Sequence, residues 1–221
     1  MINATLIDHM GTDLSVVNAA RVSFNKTSNW ELTDWRDSED YARKEVLSEA
    51  DTKLINYLAK HKHTSPFGHC FASFHIKAPV FVARQLVKHK FLRWNEISRR
   101  YVDDEPEFYQ PDEWRGRSED KKQGSDGVVD VGKIGDISLA SKTLYNSLLD
   151  RGVAPEQARM VLPQSTMTEW YWSGSLDAFA DMCNLRCAGD TQLETRLVAN
   201  QICNSMKELF PVSWFALRLE K

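Results

Sequence analysis

Apolar residues recur at helical spacing in most segments of the chain and alternate as in a strand in a few. Proline and glycine separate these segments because they interrupt regular backbone. In the first third, the pattern predicts a strand at 3–10, a helix capped by Thr12 or Asp13 that reaches about Ser23, a loop at 25–38, and a helical segment from about Glu39 to His61 that is interrupted near Ser48 by a capping box at 48–51.

The other two thirds show the same mixture of patterns. They predict a turn at 64–67, a strand at 70–77, a helix with Pro79 in its first position, a helix at 137–150 that stops at Gly152, a short helix from Pro155, a strand at 164–172, and closing helices at about 175–188 and 191–209, the last opened by a capping box from Thr191 to Glu194. Helices dominate and strands are few, so the predicted class is α+β, mostly helical with a small central antiparallel sheet.

No stretch reads as a membrane span or a targeting signal. The chain has no run of eighteen apolar residues, and residues 1–8 lack the basic flank and apolar core of a signal peptide. We therefore expect a cytoplasmic protein that does not contact a membrane.

Length and local composition give the domain organisation. A chain of 221 residues is long enough for one domain with a substantial core, so we expect a single domain over 1–221. Residues 103–126 hold nine acids and four bases without apolar periodicity. The segment 103–133 is accordingly interpreted as a solvated excursion from that domain.

Charge adds one strong feature, the stretch from Arg84 to Tyr101. It holds six Lys or Arg against one Glu and so carries about +5, whereas the whole chain has a formal net charge of −3. A local field that opposes the global charge is self-repulsive unless an anion relieves it. This stretch is therefore the first candidate for a binding site.

Cysteine and histidine residues were considered as metal ligands. The four cysteines lie in apolar segments without a CxxC pair: Cys70, Cys183, Cys187 and Cys203. Free thiols there pack as small apolar side chains, which leaves a metal or redox role as the alternative. Four histidines are clustered: His61, His63, His69 and His75. No HExxH motif accompanies them, so no metal site is expected.

Two further arginines, Arg159 on the short helix and Arg186 on an apolar helix face, need partners. A guanidinium that is buried without a partner is costly. One interpretation is an internal salt bridge, from Arg186 to Asp181 or Glu194 and from Arg159 to the adjacent Glu156. The other is that both arginines bind an anionic ligand.

The basic stretch interleaves cations with aromatic residues, as grooves for single-stranded nucleic acid do. The pI of about 6.1 and the acids at 103–107 argue against a polyanion, so no nucleic acid is expected. Ser98 lacks a GxSxG context for a nucleophile, and the adjoining Arg99 and Arg100 suit a small phosphate better. Glu96 either neutralises neighbouring cations or orients a guanidinium.

The spacing of Lys88-His89-Lys90, seven residues and Ser98 resembles the RHR-x7-S motif of flavin-dependent thymidylate synthases. Asn95-Glu96 and Arg100-Tyr101 occupy the expected places around it. Further segments resemble that family's blocks in the family's order: 13–23, 61–67, 74–79, 81–85, 157–163 and 184–186. The resemblance thus covers nearly the whole chain.

This resemblance implies the reductive methylation of dUMP to dTMP, with methylenetetrahydrofolate as carbon donor and NADPH as the reductant of bound FAD. It also implies a homotetramer whose active sites are shared between subunits. The protein would contribute orientation and electrostatics, since the cofactor carries the chemistry. The alternative is a flavin- or nucleotide-binding protein on the same fold that has lost turnover.

The resemblance also assigns residues by position, with Arg186 in the catalytic role beside the uracil edge. Those implied for dUMP are Gln85, Lys88, Glu96, Ser98, Arg99, Arg100, Arg159 and Arg186. Those implied for the flavin are His63, Ser65, Lys88, His89, Lys90, Glu96, Ser175, Asp177 and Asp181. Lys88 and Lys90 replace the two arginines of the motif, and the last three residues of the flavin set stand where the family has an Asn-x-Arg pair and a later Asn.

Overall fold

The computed structural model describes residues 1–37, 40–119, 124–132 and 136–218, with backbone only at 35–37 and 40–42. The strands are β1 (Asn3–Met10), β2 (Glu31–Asp37), β3 (Asp40–Val46), β4 (Phe71–Pro79), β5 (Leu92–Glu96), β6 (Arg115–Arg117), β7 (Ser125–Val128) and β8 (Met167–Ser175). The helices are α1 (Asp13–Arg21), α2 (Glu49–Lys60), α3 (Val80–Leu86), α4 (Ile137–Asp150), α5 (Pro155–Ala158), α6 (Leu176–Arg186), α7 (Leu193–Leu209) and α8 (Pro211–Leu217).

The central sheet is antiparallel with the strand order β1-β4-β8-β5. Its two inner strands pair over their full length, from Phe71 opposite Ser175 to Pro79 opposite Met167. Alternate side chains of both strands are buried on one face, as the period of two in a strand requires. The predicted α+β class with a small antiparallel sheet is confirmed.

The two inner strands lead directly into two helices that carry candidate residues. β4 ends at Pro79 and α3 begins at Val80, while β8 ends at Ser175 and α6 begins at Leu176. Because the strands are antiparallel, the two helices leave opposite ends of the strand pair. Both pack on its buried face, where Leu86 and Phe179 belong to the same core.

The last helices cover the same core. α8 lies between α2 and α6 and was not predicted, although Pro211 is in its first turn, where proline is favoured. The capping box predicted at 191–194 is wrong, because α7 has Gln192 as its N-cap residue without a side-chain bond. Thr191 instead donates to the Leu185 carbonyl, 3.0 Å away, and the Glu194 carboxylate accepts from Arg115.

A two-stranded ribbon, β2–β3, corrects two predictions. The loop predicted at 25–38 contains β2, and the first part of the helix predicted from Glu39 is β3. The predicted helix start itself lies outside the described residues. Among the described strands the ribbon pairs with no other strand, and its described side chains at 31–34 and 43–45 are all exposed, so they give no alternating apolar signal.

Other elements follow their sequence signals. α4 has the predicted bounds, α1 begins after Thr12, and Ser48 caps α2 by accepting from the Asp51 N–H at 3.0 Å. β8 begins three residues later than predicted, since Thr166 closes a turn on the Pro163 carbonyl.

The excursion at 103–133 is exposed at most of its described residues but is attached to the core at several points. Met167 N–H donates to the Glu107 carbonyl, Tyr109 N–H donates to the Ser165 carbonyl, and Arg115 in the β6–β7 hairpin binds Glu194. Residues 120–123 and 133 of the segment lie outside the description. Within the described ranges, no helix is long and apolar enough to span a bilayer.

The buried carboxylate of Asp13 joins the two ends of the chain. It accepts hydrogen bonds from the Val212 and Ser213 N–H groups at 2.9 and 2.8 Å, at the start of α8. Asp13→Ala would leave both N–H groups without this partner, the Val212 group part-buried and the Ser213 group buried, so we expect a loss of about 3 kcal/mol in the free energy of unfolding. Urea unfolding at pH 7 measures it, with exposed Asp150→Ala as the control; equal stability of the two variants would contradict this role.

Candidate active site

The cationic turn between α3 and β5 is held in a strained conformation. His89 N–H donates to the Leu86 carbonyl at 3.1 Å, and Phe91 has φ 64°, which is rare for a bulky side chain. Phe91 is 81% exposed, and both lysines of the turn are exposed as well. The strain, of the order of 1–3 kcal/mol, persists only where the surroundings fix the backbone.

Close packing of β5 on β8 provides that fixation. A Cβ atom at Gly174 would collide with the side chain of Leu92 and lie 3.0 Å from the Phe91 carbonyl oxygen. Residue 174 is paired with Leu92 across the two strands. Only glycine lets the backbone of β5 approach this closely.

His89 and Arg186 meet where α3 and α6 end. The Arg186 Nε–H donates to His89 Nε2 at 3.0 Å, and the imidazole stands edge-on to Trp172 at 6.3 Å. An imidazole nitrogen can accept this bond only when it carries no proton. The pair therefore consists of a neutral His89 and a charged Arg186 whose terminal nitrogens remain for other partners.

Burial and then the charge of Arg186 lower the pKa of His89 to about 4. Burial also lowers the pKa of Arg186, although a guanidinium stays protonated in proteins. Both helices end near this pair, and the partial negative charge of a helix C-terminus favours a cation there.

Glu96, at the end of β5, is fixed through both of its carboxylate oxygens. Oε1 accepts from the Thr168 hydroxyl at 2.8 Å, and Oε2 accepts from Trp94 Nε1 at 3.1 Å. Trp94 in turn stacks on Trp170 with ring centroids 4.3 Å apart. The carboxylate thus has one orientation before any ligand arrives.

The turn after β5 places the expected phosphate-binding residues. Ser98 Oγ accepts from Arg100 Nε at 3.3 Å and has no base beside it. The Arg99 Nη1 group donates to the Asp104 carbonyl at 2.8 Å and lies 3.8 Å from its carboxylate. Ser98 is therefore arranged as a hydrogen-bonding group and not as a nucleophile.

A cleft of about 590 Å³ brings three of the candidate residues together: Glu96, Arg99 and Arg159. The apolar part of its wall includes Val80, Leu162 and Met167. This volume is in the range of sites for small organic ligands.

Gln85, on α3, is held by two residues of the α7 region. Its Nε2 group donates to Gln192, and its Oε1 accepts from the Thr195 hydroxyl at 3.1 Å. Gln192 also lines a larger cleft of about 950 Å³ beside the excursion, which contains none of the candidate residues. We place the site at the smaller cleft and the cationic turn because the candidate chemistry lies there.

The residues expected to hold the adenosine side of a flavin lie on the first turns of α6. Ser175 is its N-cap residue, and Asp177 Oδ1 is buried without a hydrogen-bond partner among the described residues. Burial and then the Asp177 charge raise the pKa of Asp181. Both His63 and Ser65 are exposed. Ser65 begins a short 3-10 turn that packs against α6, and His63 lies just before this turn.

A single chain gathers only part of the candidate set. His89 joins Arg186, and the cleft joins three others, but no described contact links these groups to Lys88, Lys90 or His63. Of the two interpretations of these arginines, the internal salt bridge finds no support among the described contacts: Arg186 donates to His89, and Arg159 Nε donates to the Glu156 carbonyl at 3.2 Å. Within the described ranges, no three His, Cys, Asp or Glu side chains are grouped as a metal site requires.

The sequence did not indicate the residues that orient the site. Thr168 and Trp94 fix Glu96, and Gln192 and Thr195 fix Gln85. Three of these four partners are more than seventy residues from the group that they hold. Strand alternation alone could have placed Thr168 on the buried face of β8, but only the β5–β8 register brings it to Glu96.

The sheet, the two converging helices and the cationic turn define an α+β protein with a cationic surface beside a cleft. The family model for thymidylate synthase complementing protein matches residues 5–212. A flavin-dependent thymidylate synthase of Thermus thermophilus is 38% identical over 215 residues, covering 96% of this chain and 73% of that protein. One of Thermosipho africanus is 36% identical over 219 residues, covering 93% and 86%.

A solved structure is similar over the same length. The UMP/dUMP methylase PolB from Streptomyces cacaoi, bound with 5-Br dUMP, has a TM-score of 0.78 and 31% identity, with 98% of this chain and 94% of that chain covered. The chain belongs to the flavin-dependent thymidylate synthase family, which is a family of methyltransferases.

The neutral state of His89 can be tested by titration. Its folded pKa of about 4 lies below the ordinary 6.5, so the unfolded chain binds the extra proton between these pH values. His89 should therefore lower the free energy of unfolding as pH falls through that window. NMR titration of ¹³C-labelled histidine should give a midpoint near 4 for His89.

Arg186→Gln should raise this midpoint but leave it below 6.5, because burial is the larger cause of the shift. Arg196→Gln is the matched control and should leave the midpoint unchanged. A midpoint above 6 in the unmodified protein would contradict a neutral His89.

Proposed function

We propose that this protein converts dUMP to dTMP by reductive methylation, with methylenetetrahydrofolate as carbon donor and FAD reduced by NADPH. The observation that carries the proposal is the His89–Arg186 contact, which joins the stretch that resembles the family motif to the distant arginine that the resemblance assigns to the uracil edge. Family membership and the likeness to a dUMP methylase support the same substrate.

The phosphate of dUMP would bind at the turn after β5. Ser98, Arg99 and Arg100 present a hydroxyl and two guanidinium groups there, and Arg159 faces the same cleft as Arg99. Guanidinium groups bind phosphate by paired hydrogen bonds at fixed geometry. Gln85 and Lys88 would complete the nucleotide contacts, and the preset Glu96 carboxylate would accept from a ligand donor.

Arg186 would act on the uracil ring. With Nε committed to His89, its terminal nitrogens are free to face the edge of the pyrimidine. A fixed cation at that edge favours the ring deprotonated at N3, which is richer in electrons at C5. His89 would keep this guanidinium in position, and as a neutral group it adds no competing charge.

The donor set of the chain fits a flavin dinucleotide. Lys88, His89 and Lys90 present cationic and N–H groups to a diphosphate, and the unpartnered Asp177 Oδ1 can accept from an amino or hydroxyl group of adenosine. FAD, when bound, supplies hydride transfer and mediates the transfer of the carbon unit. Glu96 would orient it from the end of β5, and His63 and Ser65 would do so from the segment before β4.

We also propose a homotetramer with active sites shared between chains. The separation of the candidate residues into unconnected groups within one chain supports this arrangement. A second chain could supply the missing contacts to the exposed Lys88 and Lys90, so that the cationic stretch is neutralised by ligand and partner together.

Two measurements on the purified protein test the proposal. A visible flavin spectrum that shifts when dUMP is added would support both binding sites. Tritium release from [5-³H]dUMP with NADPH and methylenetetrahydrofolate would establish turnover. A dUMP-sensitive flavin without tritium release would instead favour the alternative, a binding protein that has lost catalysis.

Arg186→Ala should reduce tritium release by about 10²–10³-fold, the usual effect of removing one electrostatic donor from an active site. The fold should persist, since Arg186 is only half-buried at the end of α6. Arg151→Ala, an exposed arginine at the end of α4, is the control. Unimpaired dTMP formation by Arg186→Ala would rule out its catalytic role.

Lys88→Arg should leave flavin retention equal or stronger, because a planar guanidinium can make paired contacts that an ammonium cannot. Flavin content after gel filtration measures the effect, with Lys60→Arg on α2 as the control. A marked loss of flavin in Lys88→Arg alone would show that the site is built around lysine.

A further inference from the structure

Three of the four cysteines meet where α6, α7 and α8 pack together, in a region that the proposed reaction does not use. Cys183 and Cys187 are four residues apart and so share one side of α6. Cys203 lies on α7 one turn after Ala199, whose carbonyl accepts from the Cys183 thiol at 3.6 Å. The three thiols are close enough for each to shift the pKa of the others.

One N–H group contacts the sulfur of Cys203, and one guanidinium acts on it. Trp214 Nε1 donates to this sulfur at 3.4 Å, and the Arg218 guanidinium lies over the Trp214 ring at 5.8 Å. Arg218 Nη1 is buried without a hydrogen-bond partner in the part of the chain that is described. A buried guanidinium without a partner is costly, and an anionic sulfur nearby offsets that cost.

The four cysteines differ in ionisation for this reason. Hydrogen bonds from the thiols of Cys183 and Cys187, then from Trp214, together with the charge of Arg218, hold the pKa of Cys203 well below its usual range despite burial. Burial raises the pKa of Cys183 and raises that of Cys70 to about 11. Thiolates are the reactive form, so Cys203 is the nucleophile of the set.

Accessibility separates the remaining thiols. Cys183 is 0% exposed, whereas Cys187 and Cys203 are half-buried and so retain some contact with solvent. Cys187 is therefore the thiol available to react with an oxidised Cys203. Cys70 lies apart beside Thr12 and provides an internal reference for an inert thiol.

We propose that Cys203 and Cys187 form a peroxide-reactive dithiol. The Cys203 thiolate attacks one oxygen of a hydroperoxide, the O–O bond breaks, and the leaving oxygen takes a proton to become water or an alcohol. The Cys187 sulfur then attacks the resulting sulfenic acid, an S–S bond forms, and the hydroxyl leaves as water. Two thiols lose two electrons in total, and the peroxide gains them.

The first test measures the thiolate directly in the reduced full-length protein. Short pulses of iodoacetamide at pH 6 and pH 8, followed by mass spectrometry of each cysteine, give four separate rates. The Cys203 rate should change less than about twofold between these values, because its thiolate is already formed, while Cys70 stays unreactive. A Cys203 rate that rises about tenfold per pH unit, or that equals the Cys70 rate, would overturn the proposal.

The second test follows the oxidation by hydrogen peroxide. The unmodified protein and the control Cys70→Ser should both yield a Cys187–Cys203 disulfide, identified by peptide mapping. Cys187→Ser should instead accumulate a sulfenic acid at Cys203 that is trapped by dimedone. Oxidation that stops at the sulfenic acid in the unmodified protein, or that occurs equally at Cys70, would show that no dithiol exists.

Arg218→Gln examines the source of the reactivity. Removing the guanidinium should lower the Cys203 alkylation rate at pH 6 by at least about threefold, with circular dichroism as the check on the fold. Arg196→Gln is the matched control on α7 and should not change the rate. An unchanged rate in Arg218→Gln would overturn the assignment of this cation to the thiolate.

Discussion

The pairing of β4 with β8 fixes the geometry on which the rest of the protein depends. Nine paired residues make a strand pair about 30 Å long, and α3 and α6 start at its opposite ends. Helices of seven and eleven residues, at about 1.5 Å per residue, together span nearly the same length. Because both fold back over the buried face, their ends meet, and this meeting brings His89 to Arg186.

The same geometry explains how an acidic protein keeps a strongly cationic stretch. The charges lie in different surroundings. Arg186 donates to a neutral imidazole, Arg99 forms an ion pair with Asp104, and the lysines of the turn are exposed to solvent. No two of these cations share a buried space in the described structure. The repulsion is therefore spread over separate surfaces, and a ligand with several anionic groups could neutralise more than one of them.

Sequence patterns predicted the elements whose local signals agree with their packing. The helix at Ile137–Asp150 was predicted because its apolar spacing ends at a glycine, and the buried strand β4 because its residues alternate. The ribbon β2–β3 was missed because its described side chains at 31–34 and 43–45 are exposed and show no alternation against a core. The strand β5 was not recognised because its five residues hold both an arginine and a glutamate at exposed positions.

The candidate residues were found through a motif, whereas their partners were not. The expected salt bridges assumed that a buried arginine seeks a carboxylate, but Arg186 binds a histidine 97 positions away that burial keeps uncharged. The support for Glu96 is equally remote in sequence, since it depends on strand register. Sequence thus indicates the candidate groups, and the long-range pairing of the sheet determines how they are held.

The glycine at position 174 limits which substitutions the cationic turn and β5 can accept. Because it has no side chain, Leu92 and the carbonyl of the strained Phe91 can pack directly against its backbone, at the start of the strand that ends at Glu96. A single added methyl group would displace the Leu92 side chain and press on the Phe91 carbonyl, in the segment that leads to the residues proposed for flavin and phosphate. The mutational tolerance of this surface is therefore set in part by a residue on the neighbouring strand.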